Sequence, residues 1–325
     1  MPRGEKNAHN ILFHFFFIHS FFSPHNPIQS MEERTTVIGD WTVKLRLKDH
    51  VYSAVRNTDG VHIKQPIMSV TTFAESLFPA FDTPRAIASM GITSRVAKYG
   101  HMSDLEIARY WKQHKEYSAL LGTTLHGAME QWLGEIIAGK RKLLEVPTVF
   151  PPNIPSSYDG CVPPWLGDTG VIVNRDHLVD FSKYMMNKAI VPVAVEMPVI
   201  DPEHRMAGTV DALFVHPDTG KLMIYDWKRR TEYQTSNSFE DGLEYTPAED
   251  LESCHASHAL IQLNLYRELL ENSMGDSTII SEMHIITIHP TLQTFIDSPV
   301  PINRSLGKEL LEYRLLQLET EDIIS

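Results

Sequence analysis

The stretch from Met206 to Arg230, MAGTVDALFVHPDTGKLMIYDWKRR, constrains this chain more than any other. Two runs rich in Val, Ile, Phe and Tyr flank HPDTGK, and Asp-Thr-Gly supplies the residues that a tight connection needs, so the stretch predicts a β-hairpin. Side chains alternate along a strand, which puts Asp226 and Lys228 on one face and Trp227 on the other. Asp211 falls on the first strand. Two acids on adjacent strands with a lysine beside them could bind a divalent metal and hold a polarised water, the needs of phosphodiester hydrolysis. A D-x-K after an apolar strand is by itself usually solvated surface, because Asp and Lys are mostly exposed. The rest of the chain decides between these readings.

With 325 residues, 42% of them hydrophobic, the chain can bury one large core, with or without an appended subdomain. Its formal charge of -12 argues against a protein that coats nucleic acid nonspecifically, although an acidic protein can still carry a local basic channel. Only Cys161 and Cys254 are present, so neither a cysteine zinc site nor a four-cysteine iron-sulfur cluster can be built. This cysteine usage fits a reduced intracellular compartment: nucleus, cytoplasm or mitochondrion. The run ILFHFFFIHSFF, within residues 1–30, is too short for a membrane-spanning helix, and no small-residue cleavage site follows it. We expect residues 1–30 to be a disordered or targeting extension or a mis-called start, and no stable membrane association.

Residues 37–65 predict short strands with a turn at 57–60. Ser69, Thr71 and Thr72 can cap a helix beginning near Phe73, and Asp82 with Pro84 starts another. From Ile92 to Lys115, Arg95, Lys98, Arg109, Lys112 and Lys115 face only Asp104 and Glu106, a modest basic patch on helical sequence. Gly122 is expected to break that helix, with Thr123 or Thr124 capping the next, which places His126 in a first turn and Glu130 one turn on along the same face. Six prolines mark residues 146–170 as an irregular insertion. A helix near 175–188 leads to a strand bearing Glu196. Residues 235–255 hold six acids and no Lys or Arg, a solvated loop. In HALIQLNLYRELLEN, an amphipathic helix, Gln262 and Tyr266 share one face while Ile261, Leu265 and Leu269 are left for the core. A last buried strand and a C-terminal helix follow.

Taken together, GTTLH, VEMPV, GTVDALF, YDWK and QLNLY resemble, in order and spacing, the motifs of the RecB-like branch of the PD-(D/E)xK nucleases over roughly residues 118–290. The upstream SVTTF…FPAFD and Trp111 are similar to stand-alone exonucleases of large DNA viruses and phages. The resemblance implies an α/β fold whose core is αβββαβ, a mixed central sheet flanked by helices, behind a helical N-terminal extension. It implies that His126, Asp211 and Asp226 are metal ligands, with the carbonyl of Trp227 also facing the ion, which would be Mg²⁺ or Mn²⁺. Lys228, with Asp211 and Asp226, would be catalytic, its ammonium orienting the attacking water and stabilising charge on the phosphate. Gln262, Tyr266, Glu196 and Glu130 would contact DNA or support the site. Relatives with a four-cysteine iron-sulfur staple are poor models for a chain with two cysteines.

These readings divide the chain into the extension at 1–30, strands and a helical subdomain at 31–117, a nuclease core at 118–290 and a C-terminal helix at 291–325. The function expected is a metal-dependent deoxyribonuclease, an exonuclease acting on DNA ends or flaps in replication, repair or recombination, alone or with a helicase or replication protein. Three alternatives stand beside it: a silent nucleic-acid-binding scaffold, an RNA-directed nuclease and a hydrolase of small phosphoesters.

Overall fold

The structure is a computed structural model that describes residues 33–63, 65–147, 172–237 and 241–324. Residues 1–30 and most of the proline-rich insertion lie outside this set. Three strands, β1 (Glu33–Ile38), β2 (Trp41–Arg46) and β3 (Val51–Arg56), form a small antiparallel sheet before the main one. Val43 and Ala54 on its inner face pack against Ile200 and Ala207 of the main sheet.

A mixed six-stranded sheet carries the rest: β4 (Met68–Ser69), β5 (Val191–Asp201), β6 (Met206–Val215), β7 (Leu222–Arg229), β8 (Ile280–Ile288) and β9 (Ile296–Pro299). β5 pairs antiparallel along the whole of β6, so β4 and β7 share the other edge of β6. There β4 takes Met206 and Ala207, β7 takes Ala212 to Val215, and Gly208 to Asp211 are left without a strand partner. β7 meanwhile runs on beside parallel β8 as far as Arg229. β6 and β7 therefore part at Asp211 and Asp226, and a notch opens in the sheet edge.

Helices cover both faces. On one lie the C-terminal half of α4 (Asp104–Ile137) and α5 (Arg175–Asn187), around Leu121, Leu125, Met129, Trp132 and Phe181. On the other lie α1 (Val70–Ser76), α6 (His255–Met274) and α7 (Arg304–Ile324), around Phe73, Leu213, Ile224, Leu265 and Leu310. α6 supplies the crossover that a parallel β7–β8 pair requires. In the chain between β4 and β5, α2 (Thr83–Ser89) and α3 (Ile92–Tyr99) pack with the start of α4 around Ile87, Tyr99 and Ile107.

Several helix starts follow from their capping residues. Ser69 accepts from the Thr72 backbone N–H, Asp82 from that of Arg85, and Ser103 and Glu106 form a reciprocal capping box at the head of α4. The expected break at Gly122 does not occur: α4 is one helix of 34 residues, and Thr124 Oγ1 bonds back to the Leu120 carbonyl inside it. A helical glycine costs about 1 kcal/mol against alanine. Buried Tyr117, Leu121, Leu125 and Met129, spaced on one stripe across the glycine, outweigh that. The helix runs across positions 117 and 118, and His126 sits well inside it. β9, a four-residue edge strand, has no counterpart in the sequence reading. Among the described residues no helix is long and apolar enough to cross a membrane.

Candidate metal centre

His126, Glu196 and Asp211 each offer a ligand atom, and these atoms lie within 4.8 Å of one another. Three elements bring them to the notch. His126 comes from the middle of α4, Glu196 from β5 and Asp211 from β6. In the β5–β6 ladder Val195 pairs with Ala212 and Met197 with Val210, so Glu196 stands opposite Asp211. Glu196 has φ +45°, a left-handed conformation that a β-strand residue rarely adopts. Two acids directly opposed across a ladder repel. The backbone nevertheless departs from strand geometry at this residue, and cations face its side chain.

His126 Nδ1 is 3.4 Å from both Glu196 Oε1 and Asp211 Oδ2. On the far side of the ring Nε2 donates to the Trp227 carbonyl at 2.9 Å. A neutral imidazole so fixed keeps its lone pair on Nδ1, aimed at the two acids. Asp211 Oδ2 accepts the Trp227 backbone N–H at 2.8 Å. Burial alone would lower the pKa of His126, but Asp211 and Glu196 carry it well above the ordinary imidazole value. Burial raises Asp211, with Asp226 and Glu196 adding to it against the pull of His126. Burial would raise Glu196 too, yet His126 and the Arg34 guanidinium hold it below the usual carboxylate range.

The three groups fit a divalent cation. Metal–oxygen and metal–nitrogen bonds of about 2.0–2.6 Å let ligand atoms up to roughly 5 Å apart share one ion. Glu196 Oε1 is buried without a hydrogen-bond partner, an orphan that a cation would satisfy. One imidazole and two carboxylates are hard and borderline donors suited to oxygen-loving divalent ions.

Asp226, expected beside them, is placed differently. Its Oδ2 lies 2.6 Å from Lys228 Nζ, an ion-pair contact outside hydrogen-bond angles, and its Oδ1 accepts from Gln262 Nε2 at 3.1 Å. Gln262 Nε2 also donates to the Tyr266 hydroxyl at 3.2 Å, so Gln262 and Tyr266 do face the site from α6. Tyr266 is buried and its ring lies against Gly208, where an added Cβ would come within 2.4 Å of Cε1. Lys228 stays charged: burial would lower its pKa, but Asp226 and Asp211 hold it raised. The Trp227 carbonyl is taken up by His126. Glu130, one turn after His126, is outside the ligand group and accepts from Arg34.

One participant is absent from the sequence analysis and another has a different role there. Arg34, from β1, reaches Glu196 and Glu130 at 2.6 Å each, across separations of 162 and 96 residues. Glu196 appeared there as a supporting group, not a ligand. Counting pairs outward from the turn at Pro202–Arg205 would have set it opposite Asp211. Of the basic patch, Lys98, Arg109, Lys112 and Lys115 are exposed on α3 and α4. No model of a known protein family matches the chain, and no curated protein matches it either. Fold and site therefore stand on their own geometry: a mixed α/β sheet with a buried His126–Glu196–Asp211 group able to hold a metal ion.

Proposed function

We propose that this chain is a divalent-metal-dependent nuclease of the RecB-like PD-(D/E)xK kind, an exonuclease acting on DNA ends or flaps. One observation carries the reading. The His126–Glu196–Asp211 group sits where β6 and β7 part, next to a lysine held in place by Asp226. A site that only bound metal for stability would have no use for that lysine.

His126, Glu196 and Asp211 would hold Mg²⁺ or Mn²⁺, whose Lewis acidity would polarise a phosphodiester and make water a better nucleophile. Trp227 fixes the imidazole through its carbonyl and Asp211 through its N–H. Gln262 holds Asp226, and Asp226 pairs with the ammonium of Lys228, which would set a fixed positive charge against phosphoryl oxygens as they gain negative charge. The exposed lysines and arginine of α3 and α4 give the DNA backbone a positive wall. A helicase or replication protein would serve as partner by exposing the strand end.

The test is cleavage of end-labelled single-stranded, duplex and flap DNA, with an RNA strand alongside, in Mg²⁺, Mn²⁺ or chelator. Metal-dependent release of short products from DNA ends is expected. Internal cuts would make the enzyme an endonuclease, and preference for RNA would change the substrate. No metal-dependent cleavage of any strand would end the reading.

A further inference from the structure

We propose that the Arg34 guanidinium occupies a second cation position at this centre, between Glu130 and Glu196, and so limits the centre to one divalent ion. The inference rests on the metal-binding half of the reading above. Arg34 is on the first strand of the N-terminal sheet, and its two terminal nitrogens split between two acids. Nη1 donates to Glu196 Oε2 and Nη2 to Glu130 Oε2, each at 2.6 Å. Glu196 thus spends one oxygen on Arg34 and keeps the other, Oε1, for the His126 side. Glu130 spends its contact on Arg34 alone.

Two carboxylates that converge on one guanidinium would repel each other without it. Only 11% of the Glu196 side chain and 35% of that of Glu130 are exposed, so solvent screens the pair weakly. Arginine suits the post: it is always charged, and its planar fork satisfies two acceptors at once. Take it away and two half-buried oxygen donors face one gap beside the His126–Asp211 side of the centre. That is the donor chemistry a hard divalent ion takes. The N-terminal sheet, by this account, sets how many ions the centre holds.

Mn²⁺ titration by calorimetry, with the electron paramagnetic resonance of free Mn²⁺ as a second count, tests the idea on the full chain. The parent is expected to bind one ion, Arg34→Gln two, Arg34→Lys one, and Arg34→Gln with Glu130→Gln one again. Glu130→Gln alone is expected to leave Mn²⁺ affinity near the parent value, whereas loss of a group that supports the native ion would cost about tenfold or more. A single ion in a folded Arg34→Gln overturns the proposal and leaves the nuclease reading intact. If Arg34→Gln does not fold, a tenfold loss in Glu130→Gln overturns it instead, and unchanged affinity supports it. A parent that binds no Mn²⁺ removes the metal centre and this inference together.

Discussion

The backbone N–H of Trp227 donates to Asp211 Oδ2 over 2.8 Å, just past the last β6–β7 pair, Ala212 with Tyr225: Asp211 is the next residue on β6 and Trp227 the second next on β7. A side chain takes over where the ladder stops. β7 is held by β8 on its other edge, so it continues straight while β6 follows β5 away. Asp211 closes the sheet at the gap and at the same time lines it. The same Trp227 peptide region anchors His126, so the position of the imidazole relative to Asp211 is set by the backbone of one residue.

Asp211→Asn therefore separates fold from metal. Asparagine keeps an oxygen for the Trp227 N–H and removes one of several neighbouring buried acids. We expect a melting temperature at or above the parent's, with Mn²⁺ affinity reduced by more than about a hundredfold, beyond the usual effect of a group outside the ligand set. Calorimetric titration reads the second quantity, and an affinity within threefold of the parent would make Asp211 a structural brace only.

Gly208 and Tyr266 are coupled by space. A methyl group at position 208 would meet the Tyr266 ring at 2.4 Å, and that ring is buried, with Gln262 donating to its hydroxyl. Gly208→Ala should destabilise by about 1–3 kcal/mol, the usual penalty of overpacking. At roughly 2–4 °C per kcal/mol for a chain of this size, the melting temperature falls by several degrees. Tyr266→Leu in the same chain should recover part of the loss, while Tyr266→Phe, which keeps Cε1, should recover none. Equal recovery by both would show that the clash is not the cause.

These relationships also mark how far the sequence reaches. The β6–β7 hairpin is legible because alternation and Asp-Thr-Gly are local, and the Gln262–Tyr266 face of α6 is legible from helical spacing. Glu196 as the partner of Asp211 depends on β5–β6 register and on a positive φ, neither of which periodicity encodes. Arg34 reaches the site from another sheet across 162 residues, beyond any local pattern. Gly122 misleads for the opposite reason: a local helix-breaking signal is overridden by tertiary packing of the stripe on either side. Asp226 and Lys228 share a face as alternation requires, but alternation does not say whether the acid turns to a metal or to the lysine.

Outside the site, Asp201 and His204 give stability a pH signature. Asp201 Oδ1 lies 2.9 Å from His204 Nδ1 and accepts the His204 backbone N–H at 3.1 Å. Burial would raise the acid and lower the imidazole, but their attraction wins in both: Asp201 is lowered from 3.8 and His204 raised from 6.5. The share of Asp201 is complete above the ordinary carboxylate value and lost as pH falls through its lowered one. The share of His204 is complete below the ordinary imidazole value and lost as pH rises through its raised one. Relative to His204→Gln, the parent's advantage in melting temperature should be greatest at about pH 5–6 and shrink as pH rises above the ordinary imidazole value. A gap that stays constant across this range would assign the contact to neutral hydrogen bonding.

Lys228 is the residue on which the nuclease reading turns. Its ammonium lies 2.6 Å from Asp226 Oδ2, and a quarter of its side chain is exposed. Lys228→Ala takes away no ligand atom and deletes a positive charge beside the ion's acids, so Mn²⁺ should bind as well as in the parent or more tightly. DNA affinity should fall by no more than one backbone contact among several. Cleavage should drop by on the order of 10² to 10³, the usual effect of removing a fixed group that stabilises transition-state charge. Asp226→Asn frees the same ammonium from its partner, so cleavage falls there as well, yet Mn²⁺ affinity should suffer less than in Asp211→Asn, because Asp226 stands outside the His126–Glu196–Asp211 group. Single-turnover cleavage rates beside Mn²⁺ titrations of the three variants check this order. A Lys228→Ala protein that binds Mn²⁺ and cuts at close to the parent rate would make YDWK the structural end of a strand, and its lysine a surface charge that happens to meet an acid.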